Sequence, residues 1–402
     1  MRQTLSIVVL FFLASCGRDE SCCIVEIMVA VPDNTGEVFV TGNLPELGPW
    51  SPDVYAMQGD GNERTASIDV PLGTAFEYKF TLGSWAREAV DADLAPLANY
   101  KLDVDTDQAV HHVIEGFKPD PIVFIRDWQG SGVKGTLVYW TDVSSAFLGP
   151  ARHVSIWLPP GYDGERETPY PVLYMHDGQN LFDPRLGGAQ GDIWDVDDAV
   201  VNLVEQERIP PIIVVGVWNS DERMTEYSPW HDAPDYARFL IEELMPRVNE
   251  AFNTATGPKN TAVMGSSMGG LLSYYLVTYH PDVFGSCGCV SSAFVLSEAL
   301  IANRVPQFED GQSPDETPYI VRDIEAGLGV PGTVRYWFDY GTIGGDANYH
   351  EPHERLRAWL LEQGLVPGED FVIRVYEGAD HNEAAWAARL EDPLLFLYSD
   401  RD

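Results

Sequence analysis

Apolar positions fall into two rhythms along this chain. Between Ile24 and Gly116 they alternate with polar ones in short runs, Ile24–Val31, Glu37–Thr41, Ala66–Val70, Phe76–Leu82, Tyr100–Val104 and Val110–Ile114, each closed by turn residues. A period of two puts one side of a strand on a core and the other in water, so the pattern predicts a β-sandwich over residues 24–116. Residues 117–135, with Pro119, Pro121 and three glycines, read as a linker. Beyond them the runs become nearly continuous. Thr136–Thr141, Val154–Leu158, Pro171–Met175, Ile212–Val217, Thr261–Met264, Cys287–Val290, Val334–Phe338 and Phe371–Tyr376 read as strands, most of them buried on both faces. Helical spacing appears at Asp235–Phe252, Gly269–Tyr279, His353–Gln363 and Glu383–Leu397. Eight strands interleaved with helices predict an α/β domain over residues 136–402, with an open, mostly parallel eight-stranded sheet.

The opening residues follow neither rhythm. Arg2 precedes an apolar stretch, Leu5–Leu13, far shorter than the ~20 residues that span a bilayer, so residues 1–15 read as a signal peptide. Leu13-Ala14-Ser15-Cys16-Gly17 resembles the lipobox of bacterial lipoproteins. That resemblance implies cleavage before Cys16, a diacylglycerol on its thiol and residues 16–23 as a tether. Two acyl chains hold a protein stably on a membrane. Gly17 in place of Asp resembles an outer-membrane address, so the expected location is the cell envelope, periplasmic or surface-exposed.

Charge narrows the partners. Among 402 residues, 62 acidic against 25 basic side chains give a formal charge of −37, which repels a phosphate backbone and excludes nucleic acid as a natural partner. No cysteine–histidine spacing of the zinc type occurs, and Cys287 and Cys289, two apart on an apolar strand, read as small buried side chains facing one way.

Candidate chemistry sits at Gly265-Ser266-Ser267-Met268-Gly269, a G-x-S-x-G between a strand and a helix. A sharp turn there aims the Ser267 hydroxyl out of the sheet, and the Met268 amide at the helix N-terminus can stabilise an oxyanion. A serine needs a base, and of the nine histidines only His381 follows the last strand. His350 and His353 are expected on a helix surface, and His176 as a support of the site. The acid should follow the strand Val334–Phe338. Asp346 is favoured, with Asp339 as its rival, because Asp339 would lie within or beside the sheet. In Met175-His176-Asp177-Gly178-Gln179, the loop after the third strand, a second oxyanion donor is expected, Gly178 letting the backbone approach the substrate. None of this requires a cofactor or a metal.

Leu158-Pro159-Pro160-Gly161-Tyr162, the run His176–Asp183, Gly265–Gly270 and the stretch Gly378–Leu397 resemble the esterase D type of α/β-hydrolases, over residues 136–400. That group includes feruloyl and acetyl esterases of carbohydrate esterase family one, siderophore esterases and mycolyltransferases. The resemblance implies ester hydrolysis by Ser267, His381 and Asp346, with the Gln179 amide as the second oxyanion donor. Several members carry an acid directly after the Gly-Thr of the acid loop, where this chain has Ile343-Gly344-Gly345.

Val38-Phe39-Val40-Thr41-Gly42-Asn43-Leu44-Pro45-Glu46-Leu47-Gly48-Pro49-Trp50 resembles the opening of starch-binding modules of carbohydrate-binding family twenty. Carried over, Trp50 and Trp85 would stack on sugar faces, while Lys79 and Asn99 would donate to sugar hydroxyls. The acid that the family places directly after the second tryptophan comes here at Glu88. Flat rings on a rigid sheet bind sugars at little entropic cost. The expected function is removal of an acyl group (acetyl, feruloyl or similar) from a polysaccharide, α-glucan-like or otherwise acylated, held by this module. Alternatives are an esterase acting on siderophore lactones or small soluble esters, and a non-catalytic glycan-binding surface lipoprotein.

Overall fold

The computed structural model describes residues 22–33, 35–48, 50–92, 96–187, 192–298, 317–325 and 331–399. Cys16 and residues 1–15, read above as a signal peptide, lie outside the described residues. The chain divides into two compact units, residues 1–118 and 119–402.

In the first unit, strands β1 (Cys22–Ala30), β2 (Phe39–Gly42), β3 (Glu63–Pro71), β4 (Thr74–Thr81), β6 (Tyr100–Val104) and β7 (Gln108–Val113) form two three-stranded sheets, in the orders β3-β1-β7 and β2-β4-β6. A short pair, β5 (Ala89–Val90) with β8 (Gly116–Phe117), stands beside them. Alternation decides the packing: Val25, Ile27 and Val29 of β1 and Phe76, Tyr78 and Phe80 of β4 point into one core. Each fully buried side chain of this size contributes about 1.5–3 kcal/mol.

The stretch read as a linker holds a short helix, α1 (Pro121–Arg126). Asp120 caps it by accepting from the Ile122 amide at 3.0 Å, and Pro121 occupies a first-turn position where no donor is needed.

In the second unit β9 (Thr136–Val143), β10 (Arg152–Leu158), β11 (Val172–His176), β12 (Ile213–Val217), β13 (Thr261–Ser266), β14 (Ser286–Val290), β15 (Arg335–Gly341) and β16 (Phe371–Tyr376) form one sheet in the order β16-β15-β14-β13-β11-β12-β10-β9. All pairs are parallel except those of β10 with β9 and β12. This is the sheet of an α/β-hydrolase. Among the described residues its helices are α2 (Val196–Glu205), α3 (Arg223–Glu226), α4 (Ala233–Arg238), α5 (Met245–Ala251), α6 (Met268–Tyr279), α7 (Tyr319–Glu325), α8 (His350–Glu362), α9 (Glu383–Ala387) and α10 (Glu391–Tyr398). Hydrophobic clusters cover both faces, which is why the strands lack alternation. Cys287 and Cys289 lie in one of these clusters with sulfurs 3.1 Å apart.

Two helices differ from expectation at prolines. Asp235–Phe252 is α4 and α5 joined by a π-helical segment, Phe239–Leu244, because Pro246 brings no amide to the regular ladder. Glu383–Leu397 breaks into α9 and α10, Pro393 falling in the first turn of the second.

Candidate functional site

Parallel pairing sets the site. Gly265 and Ser266 at the end of β13 lie opposite Cys289 and Val290 of β14, and Val290 lies opposite Asp339 of β15. The carboxyl ends of three adjacent strands are therefore level, the place where open α/β sheets carry their sites. Ser267 follows β13 at φ 56°, ψ −121°, a strained conformation for a residue with a side chain. Its amide donates to the carbonyls of Val290 and Ser291, and its carbonyl accepts from Ala293 at 3.0 Å. A Cβ on Gly265 would stand 2.8 Å from the Gly269 backbone, so the turn closes only with glycine there. Met268 opens α6, and the first amides of a helix have no acceptor within it.

Asp346 and His381 are brought together. The imidazole Nδ1 stands 2.6 Å from Asp346 Oδ1, while Oδ2 accepts from the Gly341 amide at 2.6 Å and the Ser291 hydroxyl at 2.5 Å. Burial pushes the Asp346 carboxyl up, but these hydrogen bonds outweigh it and hold the group below its ordinary value. The imidazole is flanked edge-on by Tyr349 at 5.6 Å and Trp386 at 5.1 Å. With Nδ1 turned to the carboxylate, Nε2 is the basic nitrogen.

Asp339 serves elsewhere. β15 runs to Gly341, three residues beyond the predicted end, so Asp339 lies inside the sheet. It is wholly buried, accepting from Trp337 Nε1 at 2.7 Å and from Arg389 Nη2 at 2.9 Å. His353, expected on a surface, is also fully buried: it packs on Tyr340 and Phe294, donates to the Tyr349 carbonyl at 2.7 Å, and burial lowers its pKa to about 4. Its partner in expectation, His350, is exposed, with the Tyr340 hydroxyl 2.8 Å from its Nδ1.

The loop after β11 is clamped at Asp177, which adopts φ 56°. Arg223 donates to both carboxylate oxygens at 2.6 and 2.8 Å, Asn219 Nδ2 to one of them at 2.6 Å, and the Asp177 amide donates to Tyr227. Burial raises the Asp177 carboxyl, yet Arg223 outweighs it and keeps the group ionised below the usual range. Arg223 is held in turn through α3, where Glu226 forms a fully buried, bidentate pair with Arg152. Gln179 follows on a 3-10 turn, Gly178–Asn180. Packing alone already requires Gly178. A Cβ there would stand 2.4 Å from the Gly216 carbonyl carbon, so the glycine seats the loop on β12. His176 is buried beneath this loop, 3.2 Å from the Tyr236 hydroxyl, and burial lowers its pKa to about 3, keeping it neutral.

Sequence reasoning missed Ser291, Arg389, Trp386, Arg223 and Asn219. Only the Ser291-Ser292 pair directly after an apolar strand offered a signal; the others show themselves only through contacts distant in sequence.

In the first unit Trp50 and Trp85 meet with ring centroids 6.4 Å apart and planes at 39°. Trp50 takes φ 56° and its amide donates to Gly42, whose strand neighbour Thr41 pairs with Lys79. Lys79 Nζ lies 2.8 Å from Glu88, which also takes Lys118 at 3.0 Å. Asn99 Nδ2 donates to Glu77 at 2.9 Å. Both polar residues are thus oriented by carboxylates, and the lysine ammonium has further protons to give.

Comparison with known proteins agrees with this architecture. Residues 145–397 match the family described as Putative esterase, and residues 24–111 match the Starch binding domain. The uncharacterized protein YbbA of Bacillus subtilis is 23% identical over 266 residues, spanning 61% of this chain and 92% of that one. The endo-1,4-beta-xylanase/feruloyl esterase of Xylanibacter ruminicola is 28% identical over 172 residues, 41% of this chain but 22% of that protein. A ferulic acid esterase structure superposes with a TM-score of 0.51 at 20% identity, covering 66% of this chain and 98% of the other, a likeness of fold. The chain belongs to the esterase family, an ester hydrolase of α/β-hydrolase fold that carries a starch-binding domain ahead of it.

Proposed function

We propose that this protein is a serine esterase that removes acyl groups, acetyl, feruloyl or similar, from a polysaccharide held by its starch-binding domain. The observation that carries the reading is the strained Ser267 elbow at the carboxyl end of β13 together with a His381–Asp346 pair at 2.6 Å. The Ser267 hydroxyl attacks the ester carbonyl while His381 Nε2 takes its proton. The amides of Met268 and Gln179 donate hydrogen bonds to the tetrahedral oxyanion and stabilise its charge. Collapse expels the sugar alcohol, which receives the proton from His381, and leaves an acyl-serine. Water, deprotonated by the same nitrogen, releases the acid and restores the serine. Asp346 keeps the imidazole in the required tautomer and balances its charge as imidazolium. The likeness to the xylanase/feruloyl esterase supports an acylated polysaccharide as substrate. The resemblance of Leu13-Ala14-Ser15-Cys16-Gly17 to a lipobox supports a location on the cell envelope, with Cys16 as the anchor.

Acid release from acetylated and feruloylated polysaccharides tests the reading. Ser267→Ala should lose about 10³-fold or more in kcat on every ester while remaining folded. Trp50→Ala with Trp85→Ala should lose retention on insoluble α-glucan, about tenfold or more per ring by analogy with base stacking. Turnover of a small soluble ester should not change. An active Ser267→Ala sinks the mechanism; equal retention of the double variant sinks the assigned role of the tryptophans.

A further inference from the structure

The Ser291 hydroxyl, directly after β14, has three polar partners in a buried place. It accepts from Arg389 Nη2 at 2.7 Å and from Trp386 Nε1 at 3.1 Å. Guanidinium and indole nitrogens only donate, so both lone pairs of the hydroxyl are taken and its one proton must go elsewhere. The acceptor within reach is Asp346 Oδ2 at 2.5 Å. A freely turning hydroxyl could point several ways; this one is locked onto the carboxylate.

The lock is itself held. Arg389 donates through Nε and Nη2 to Asp339 at 3.1 and 2.9 Å, and its Nη2 stands 4.0 Å from Asp346. Asp339 thus keeps the guanidinium facing itself and Ser291 rather than pairing directly with Asp346. The Ser291 backbone joins the same assembly: its amide donates to Asp339 at 3.3 Å, and its carbonyl accepts from the Ser267 amide at 3.2 Å. It holds this position at φ 39°, a strained value for serine. Trp386, the other donor, also lies edge-on to the His381 ring. One residue therefore reaches the acid through its hydroxyl, the base through Trp386 and Ser267 through its backbone carbonyl.

We propose that Ser291 is the positioning residue of the triad, with Arg389 and Asp339 as the pair that orients it. This inference rests on the Ser267–His381–Asp346 mechanism above. Without the hydroxyl proton, Asp346 keeps one donor fewer on Oδ2 and can rotate away from the imidazole, so the chemical step slows while substrate binding does not.

The test measures kcat and KM on a small p-nitrophenyl ester together with the low-field proton resonance of the His381–Asp346 hydrogen bond. Ser291→Ala should lower kcat about 10- to 100-fold with KM nearly unchanged, and should shift or broaden that resonance. A role in stability alone would leave the resonance of the folded fraction in place. Ser291→Cys keeps a polar group there, bulkier and a weaker donor, covers the case in which the alanine variant does not fold, and should show a loss in the same direction. Wild-type kcat and an unmoved resonance in either variant overturn the proposal. Ser267→Ala and Asp346→Asn are measured alongside. If those two remain active, the mechanism is wrong; if they are dead while the Ser291 variants match wild type, the positioning role alone falls.

Discussion

Gly178→Ala is a sharp perturbation because the added carbon has nowhere to go. It would stand 2.4 Å from the Gly216 carbonyl carbon, 2.5 Å from its oxygen and 2.8 Å from the Val217 nitrogen, all backbone of a central strand. Ordinary contact between such atoms is about 3.5–4.0 Å, so the deficit is about 1 Å. β12 is bonded to β11 on one side and β10 on the other and cannot withdraw, so the loop must lift. Asp177 resists, gripped by Arg223 and Asn219, and the displacement passes to residues 178–180. An oxyanion donor works at about 2.7–3.1 Å, and an error of about 1 Å can cost 10²-fold. The Gln179 amide should therefore be largely lost to the reaction: kcat falls about 10²-fold, KM changes little, and strain costs about 1–3 kcal/mol of stability. Steady-state hydrolysis of p-nitrophenyl acetate with a thermal melt reads both effects. Gly216→Ala is the control. Its carbon first meets the Leu181 side chain at 2.8 Å, which can yield, so the loss should be smaller. A folded Gly178→Ala variant with kcat near wild type would remove Gln179 from the oxyanion hole.

Asp346→Asn should cost about 10⁴-fold in kcat, as the amide favours the wrong imidazole tautomer, with stability little affected. Asp339→Asn should cost about 3–5 kcal/mol of stability, because Arg389 loses its nearer counter-charge, and should lower kcat less than Asp346→Asn does, through the loosened Ser291; a larger loss of kcat from Asp339→Asn would move the acid to Asp339. Asp197 gives a pH-dependent test: burial pushes its pKa up from 3.8 to about 6, so between those values the folded chain holds a proton that the unfolded chain releases. Stability is therefore lost as pH rises through that window, by about 3 kcal/mol at most, and Asp197→Asn, which keeps an acceptor for the Lys134 amide, should gain over wild type progressively from pH 4 to pH 7; a gain independent of pH in urea titrations would contradict this.

The sequence by itself determined most of the elements and singled out Ser267 as the candidate nucleophile. Alternation along Ile24–Val31 and Phe76–Leu82, and continuous apolar runs such as Ile212–Val217, announce a half-exposed and a doubly covered sheet because each period is a local property of the chain. The glycines around Ser267 are legible for the same reason, since the turn they allow spans five residues. Tertiary structure alone decided how the elements serve the reaction. Asp346 and Asp339 lie seven positions apart, and only the pairing of β15 with β14 and β16 through Gly341 shows one inside the sheet and the other beside His381. Gly178 takes its meaning from Gly216, and His353 its burial from Phe294 and Tyr340. Ser291 meets Arg389 across 98 residues. Such pairings follow from strand register and side-chain packing, which depend on the whole chain at once, whereas periodicity is written within a few residues.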